Sequence, residues 1–344
     1  MTSVKLPVAT PPIIGLHNYA AALSVVFSDE RFLPWFYSQF IQLSCPTSFS
    51  NPGWLLGFVS PNIWDNAIPF FTQPMHLNKQ TVVENKISIT DYVISNIKMG
   101  YYVYVGVDDY YIPFRSAYKK YGQPHDLFIF GYDSEDKTFD VAGFNSNSVY
   151  SYSKLSFEDF EKAFHLSSPT GSRIDPEIFN FIWSFKVNEE VECFFDLKLF
   201  TEMLKDYVYS TDTTEKFRMC KIPKEGYAYG METYHYLKQY FYLLLEDKLY
   251  FDIRSIHLFW EHKKCMNLRI KYLYEKGYID KSITDFNNYS EIEKKLLIAR
   301  TLMQKYRIKK DNQLLNNIIS ILDEAETKER ALLLQLLELL NTAG

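Results

Sequence analysis

The hydrophobic pattern changes its period once, near residues 190–196, and that change restricts the fold more than any other feature of the 344-residue chain. Before it, residues 101–107 (YYVYVGV), 125–132 (HDLFIFGY), 139–144 and 149–152 are short runs rich in β-branched and aromatic side chains, separated by turn-like segments such as 133–137. Strands this short and this close together pair antiparallel, because a parallel pair needs a crossover of about a dozen residues. Residues 178–187 (IFNFIWSFKV) predict one more strand, the last of the sheet. After the change, apolar residues recur every three to four positions in LKLFTEMLKDYV, METYHYLKQYFYLLLEDK and SIHLFWEHKKCMNLRIKYLYEKG, and three more helices are expected over 289–307, 311–323 and 326–341. The reading is an α+β domain over 1–190 joined to an all-helical domain over 191–344, and a chain of this length suits two domains.

The N-terminal half begins with an extended arm, since Pro7, Pro11 and Pro12 forbid a helix there. Helices are expected over 15–27, 29–43, 90–99 and 156–165, the third capped by Thr90 or Asp91 and ended by Gly100. Residues 44–80, rich in Pro, Gly, Asn and Trp, predict long loops with short strands. The last helix is strongly apolar on one face, and closes the helical domain or pairs two chains in a homodimer.

Several function classes fall away. The net charge is −5, with no basic stripe, so a nucleic-acid partner is not expected. The cysteines at 45, 193, 220 and 265 form no C-x-x-C pair, which argues against a zinc ribbon and fits a reducing compartment. No metal site and no membrane span are expected, and the N-terminus lacks the apolar core of a signal peptide, so the expected location is cytoplasmic. Neither a P-loop nor a G-x-G-x-x-G occurs.

The segment that carries chemistry is 98–145. A strand ends in Asp108–Asp109, a loop follows, and His125 opens the next strand, where the sheet holds it rigidly. The return strand can present Asp140, or Asn145, to orient the imidazole and fix its tautomer. This is the histidine half of a Cys-His-Asp/Asn site. Asp108, Asp109 and Asp133 read equally as cation ligands and as turn residues. The cluster Glu261, His262, Cys265, Met266 and Arg269 reads as a buried salt-bridge network in preference to a metal site. The tyrosines at 101, 102 and 104 line an acyl channel or, in the favoured reading, a half-exposed sheet face.

The motif H-D-x-F-I-x-G-Y-D, preceded by G-Y-Y-V-x-V-x-V-D-x-Y-Y-I-P, resembles the N-terminal domain of the butirosin biosynthesis acyltransferase family. Residues 252–273 and 229–237 are similar to the C-terminal part of homologues from nonribosomal peptide gene clusters, and the papain-like transacylase of closthioamide assembly is of this type. The resemblance implies a papain-like, peptidase C39-like fold and acyl transfer from a carrier-protein thioester to an amine or hydroxyl. It implies His125 as base and Asp140 as orienter, with Asn145 as the alternative. Its partner would be an acyl or peptidyl carrier protein, and phosphopantetheine would enter only as part of that substrate, with no other cofactor. The family's cysteine stands at the start of the first long helix. Here that position falls in IIGLHNYAAAL, which offers Gly15, His17 and Asn18 for substrate binding and no thiol. Cys45, expected at a helix end where the dipole disfavours a thiolate, is the remaining nucleophile before His125, with Gln39 and Gln42 beside it as oxyanion donors. The alternatives are a general-base enzyme without an acyl-enzyme, a binding module without chemistry, and, ranked last, a peptidase.

Overall fold

The computed structural model describes residues 2–9, 13–15, 19–50, 54–59, 68–147, 149–166, 168–169, 171, 175–214, 216, 226–279 and 288–342. They fall into two compact units, each discontinuous in sequence. One joins Met1–Leu33 to Pro61–Glu192; the other joins Pro34–Ser60 to Cys193–Gly344. The second crossing lies where the hydrophobic period changes. The first crossing was not expected: residues 34–60 belong with the helical half rather than with the sheet.

In chain order the elements are β1 (Ser3–Lys5), α1 (Tyr19–Val26), α2 (Leu33–Ser38), β2 (Leu43–Pro46), β3 (Gly57–Phe58), β4 (Phe71–Leu77), α3 (Lys79–Glu84), α4 (Ile89–Lys98), β5 (Tyr101–Asp108), β6 (Pro124–Asp133), β7 (Thr138–Phe144), β8 (Tyr150–Ser156), α5 (Phe157–His165) and β9 (Ile182–Val187). Then follow α6 (Leu197–Tyr209), β10 (Tyr227–Tyr229), α7 (Thr233–Leu245), α8 (Arg254–Glu275), α9 (Tyr289–Lys309) and α10 (Asn312–Thr342).

The first unit is built on a seven-stranded antiparallel sheet in the order β4-β9-β5-β6-β7-β8, with β1 beside the far end of β6. β9 is last in sequence but internal in space, paired with both β4 and β5. β4 is one of the short strands expected within 44–80; it runs through Pro74, and the register shifts between Thr72 and Met75, around the residue that has no N–H to give. The alternation in YYVYVGV sorts the two faces. Val103, Val105 and Val107 join Leu127, Ile129 and Val141 in a core closed by Val93 and Ile97 of α4 and Phe160 and Phe164 of α5. Ser88 and Ser156 cap these helices, their hydroxyls accepting the Asp91 and Asp159 amides, so the α4 cap stands two residues before the expected Thr90. On the opposite face Tyr102, Phe128 and Phe185 stack at 5.4–6.3 Å. The N-terminal arm ties onto this face: Leu6 N donates to Phe130 O at 2.7 Å, Tyr102 Oη to Pro7 O at 2.6 Å, and Tyr152 Oη to Ala9 O. Tyr102 and Tyr104 are therefore buried rather than half-exposed.

The second unit combines a small antiparallel sheet, β10-β2-β3, with α2 and the five C-terminal helices. Residues 34–60 belong here because β2 pairs with β10 (Cys45 opposite Ala228) and because α8 satisfies the end of α2. Arg269 donates to the carbonyls of Phe36, Tyr37 and Gln39, and His262 Nε2 lies 2.7 Å from Ile41 O. Arg269 and His262 thus tie α8 to α2 and the residues after it through backbone carbonyls rather than the expected salt bridges, and Glu261 Oε1 lies 3.0 Å from His257 Nε2 on its own helix. α10 is one helix of 31 residues where two were expected, since nothing between Asp323 and Thr327 breaks the helical spacing. Its apolar stripe, including Leu322, Leu333 and Leu336, is buried within the unit. Among the described residues no helix is long and apolar enough to cross a membrane.

Candidate active site

His125 stands at the second residue of β6, opposite Val107 at the end of β5. Its ring stacks on Phe179 (centroids 5.8 Å, 19° between planes) and meets the edge of Phe144 at 6.2 Å. Phe179 reaches this position because Gly106, opposite Asp126, has no side chain. A Cβ at Gly106 would lie 1.7 Å from Phe179 O. The imidazole is 25 % exposed and the Asp126 carboxylate 19 %.

Adjacent residues of a strand ordinarily point to opposite faces. Here the ring turns back along its own backbone. Nδ1 lies 2.9 Å from the Asp126 amide nitrogen and 3.3 Å from Asp126 Oδ1. The two contacts serve the two protonation states. The amide can donate to a bare Nδ1, and a protonated Nδ1 can donate to the carboxylate. Nε2 has no partner among the described residues.

Behind this pair lies a buried ion pair from the β5–β6 loop. Arg115 Nε is 3.2 Å from Asp109 Oδ1, and both residues are 3 % exposed. The contact is electrostatic rather than a well-aligned hydrogen bond. The other guanidinium nitrogens donate to Asp126 O at 2.7 Å and Phe144 O at 2.9 Å, so Arg115 ties the loop to β6 and β7. Gly143 makes the passage possible, because a Cβ there would meet Nη2 at 2.3 Å. The Tyr104 hydroxyl also helps to hold the Asp126 carboxylate ionised. Tyr150, whose ring meets Phe144 at 5.5 Å, has its hydroxyl buried with no hydrogen-bond partner among the described residues.

These contacts set the charge states. Burial works against a charged His125, but the Asp126 carboxylate, and Asp109 beyond it, outweigh burial and raise the imidazole above its ordinary value. Burial likewise opposes ionisation of Asp126, yet His125, Tyr104 and Arg115 hold it down at about 2. Burial dominates at Asp109 and pushes it up to about 6 despite Arg115. Tyr150, driven well above its ordinary value by burial and then by the Asp126 charge, stays protonated as an O–H donor. The arrangement can take a proton on Nε2, stabilise the resulting imidazolium with Asp126, and offer a phenolic hydroxyl nearby.

The expected partners of His125 lie elsewhere. Asp140 pairs with Gly131, six residues along β6 and so about 20 Å from His125 at about 3.3 Å per residue; its carboxylate faces Lys5 Nζ at 3.6 Å. Asn145 accepts the amides of Asn147 and Val149 and shapes the β7–β8 turn. Cys45 is in strand β2 of the second unit, not at a helix end. It is fully buried, and burial pushes its thiol up to about 12. Gln42 is spent on Thr211 O and Thr213. Gly15 lies in the arm before α1, while His17, Asn18 and Cys220 fall outside the described residues. Asp108 accepts the amides of Tyr110, Gln123 and Ser168, and Asp133 those of Glu135 and Asp136, so both are turn anchors. Among the described residues no three His, Cys, Asp or Glu side chains gather as a metal would require.

Compared with known proteins, the chain matches no family model and no curated protein sequence.

Proposed function

We propose that the first unit transfers an acyl group from a thioester to an amine by general-base catalysis, with His125 as the base and Asp126 as its orienting carboxylate. The observation that carries this reading is the His125–Asp126 contact of 3.3 Å on a partly exposed imidazole whose Nε2 has no partner among the described residues. In the proposed step Nε2 takes the proton of the attacking amine as its nitrogen bonds to the thioester carbon. The tetrahedral intermediate then expels the thiolate, which recovers the proton from His125, giving an amide and a thiol. Positioned bases contribute about 10²–10⁴-fold.

Direct attack is favoured over an acyl-enzyme by Cys45, whose buried thiol, raised to about 12, is a poor source of thiolate. The papain-like assignment of this unit and the carrier protein as acyl donor rest on the motif around His125, and the cytoplasm as its location on the sparse, unpaired cysteines; all three are part of the same proposal. The test uses N-acetylcysteamine thioesters of short acids with a primary amine, following amide formation by mass spectrometry. The proposal expects turnover that falls about 10²–10⁴-fold in His125→Ala. Turnover unchanged in His125→Ala, or no turnover with any thioester, would overturn it, and the second result would favour a binding module without chemistry.

A further inference from the structure

A pocket of about 210 Å³ opens in the first unit beside Phe179, the ring on which His125 stacks. At about 30 Å³ per water it has room for about seven waters, less than the roughly 300–1,000 Å³ of pockets for drug-sized ligands. Its apolar lining includes Val107, Phe164, Leu166 and Phe179. Its polar lining is Lys79, at the start of α3, with Asp108, His165 and Ser168. Asp108 is already engaged. One carboxylate oxygen takes the Tyr110 and Gln123 amides and the other takes the Ser168 amide, each at 3.0 Å.

Lys79 is different. Its ammonium sits 4.7 Å over the Phe164 ring, and among the described residues no carboxylate pairs with it. Burial, only partly offset by Asp108 and Glu177, lowers it to about 8, the behaviour of a cation short of a counter-ion. A buried or half-buried ammonium is ordinarily paired.

We infer that this pocket binds a small organic acid, its carboxylate on Lys79 Nζ and its apolar body against Phe164, Leu166 and Phe179. One ammonium beside an apolar wall suits a monoanion. The site goes beyond acyl transfer, since binding is read without turnover and stands or falls separately from the role of His125.

The test is saturation-transfer NMR and calorimetry of the full chain with phenylacetate, with phenylacetamide as the neutral match. Phenylacetate is expected to bind with Kd of about 1 mM or tighter, and the amide about tenfold more weakly. Lys79→Met is expected to remove the preference for the acid, and Lys79→Arg to keep it. Equal binding of acid and amide, a preference unchanged in Lys79→Met, or no binding of phenylacetate would overturn the inference. Circular dichroism of each variant separates loss of binding from loss of fold.

Discussion

Each unit of the molecule buries charge among aromatic rings, and the two do it differently. In the second unit Lys263 and Glu329 are wholly buried, 2.8 Å apart. Tyr207, Tyr234 and Tyr289 all donate to the Glu329 carboxylate, and Lys263 lies 4.1 Å from the centre of the Phe259 ring. The cluster is closed to solvent, and one carboxylate answers one cation. In the first unit two carboxylates, a guanidinium and an imidazole share a half-open site, and among the described residues Nε2 of His125 and the Tyr150 hydroxyl have no partner. A satisfied network ties α6, α7, α8, α9 and α10 together. An incompletely satisfied one at a sheet end keeps capacity for something that is not part of the chain.

The difference predicts opposite responses to mutation. Glu329→Leu leaves Lys263 buried without a counter-charge and should cost about 3–5 kcal/mol in urea unfolding, while Lys263→Met combined with Glu329→Leu should recover much of that loss. His125→Ala should move stability by less than about 1 kcal/mol yet reduce acyl transfer about 10²–10⁴-fold. If His125→Ala were the more destabilising of the two, the contrast between a structural and a functional cluster would collapse. Gly106→Ala forces Phe179 off its present path and should cost about 1–3 kcal/mol, with a loss of turnover from the displaced ring.

The pH response sharpens the comparison further. Asp126 is held at about 2, below its ordinary value near 4, so its charge stabilises the fold above about pH 4 and that contribution is lost as the pH falls towards 2. Asp126→Asn should flatten this acid limb. His125 runs the other way. Raised in the folded state, it contributes stability below its unfolded value of about 6.5, and loses it as the pH rises through the folded value. The smallest effect expected is that of Cys45→Ala, which should leave acyl transfer unchanged.

Much of the first unit was legible because its strands alternate cleanly. Residues 101–107, 125–132 and 139–144 became β5, β6 and β7 with ends shifted by a residue or so. What adjacency in sequence could not convey was pairing between distant segments. That is why the internal place of β9 was not legible and why residues 34–60 were assigned to the sheet's half. His125 was legible as a rigid residue at a strand start. Asp126 was passed over, because strand periodicity sends it to the other face, and the ring's turn back along the backbone is not encoded in spacing. Arg115 comes from a loop and Tyr150 from another strand, so their convergence on Asp126 is tertiary. Gly106 and Gly143 left only a weak sign, glycine inside a strand, which marks close approach of another chain segment.

The central claim, that Asp126 and not Asp140 governs His125, is tested most directly by an NMR titration of the His125 ring in the wild type, Asp126→Asn and Asp140→Asn. The account predicts a wild-type value above the ordinary histidine range, a clear fall in Asp126→Asn, and no change in Asp140→Asn. A fall in Asp140→Asn with Asp126→Asn unchanged would contradict it.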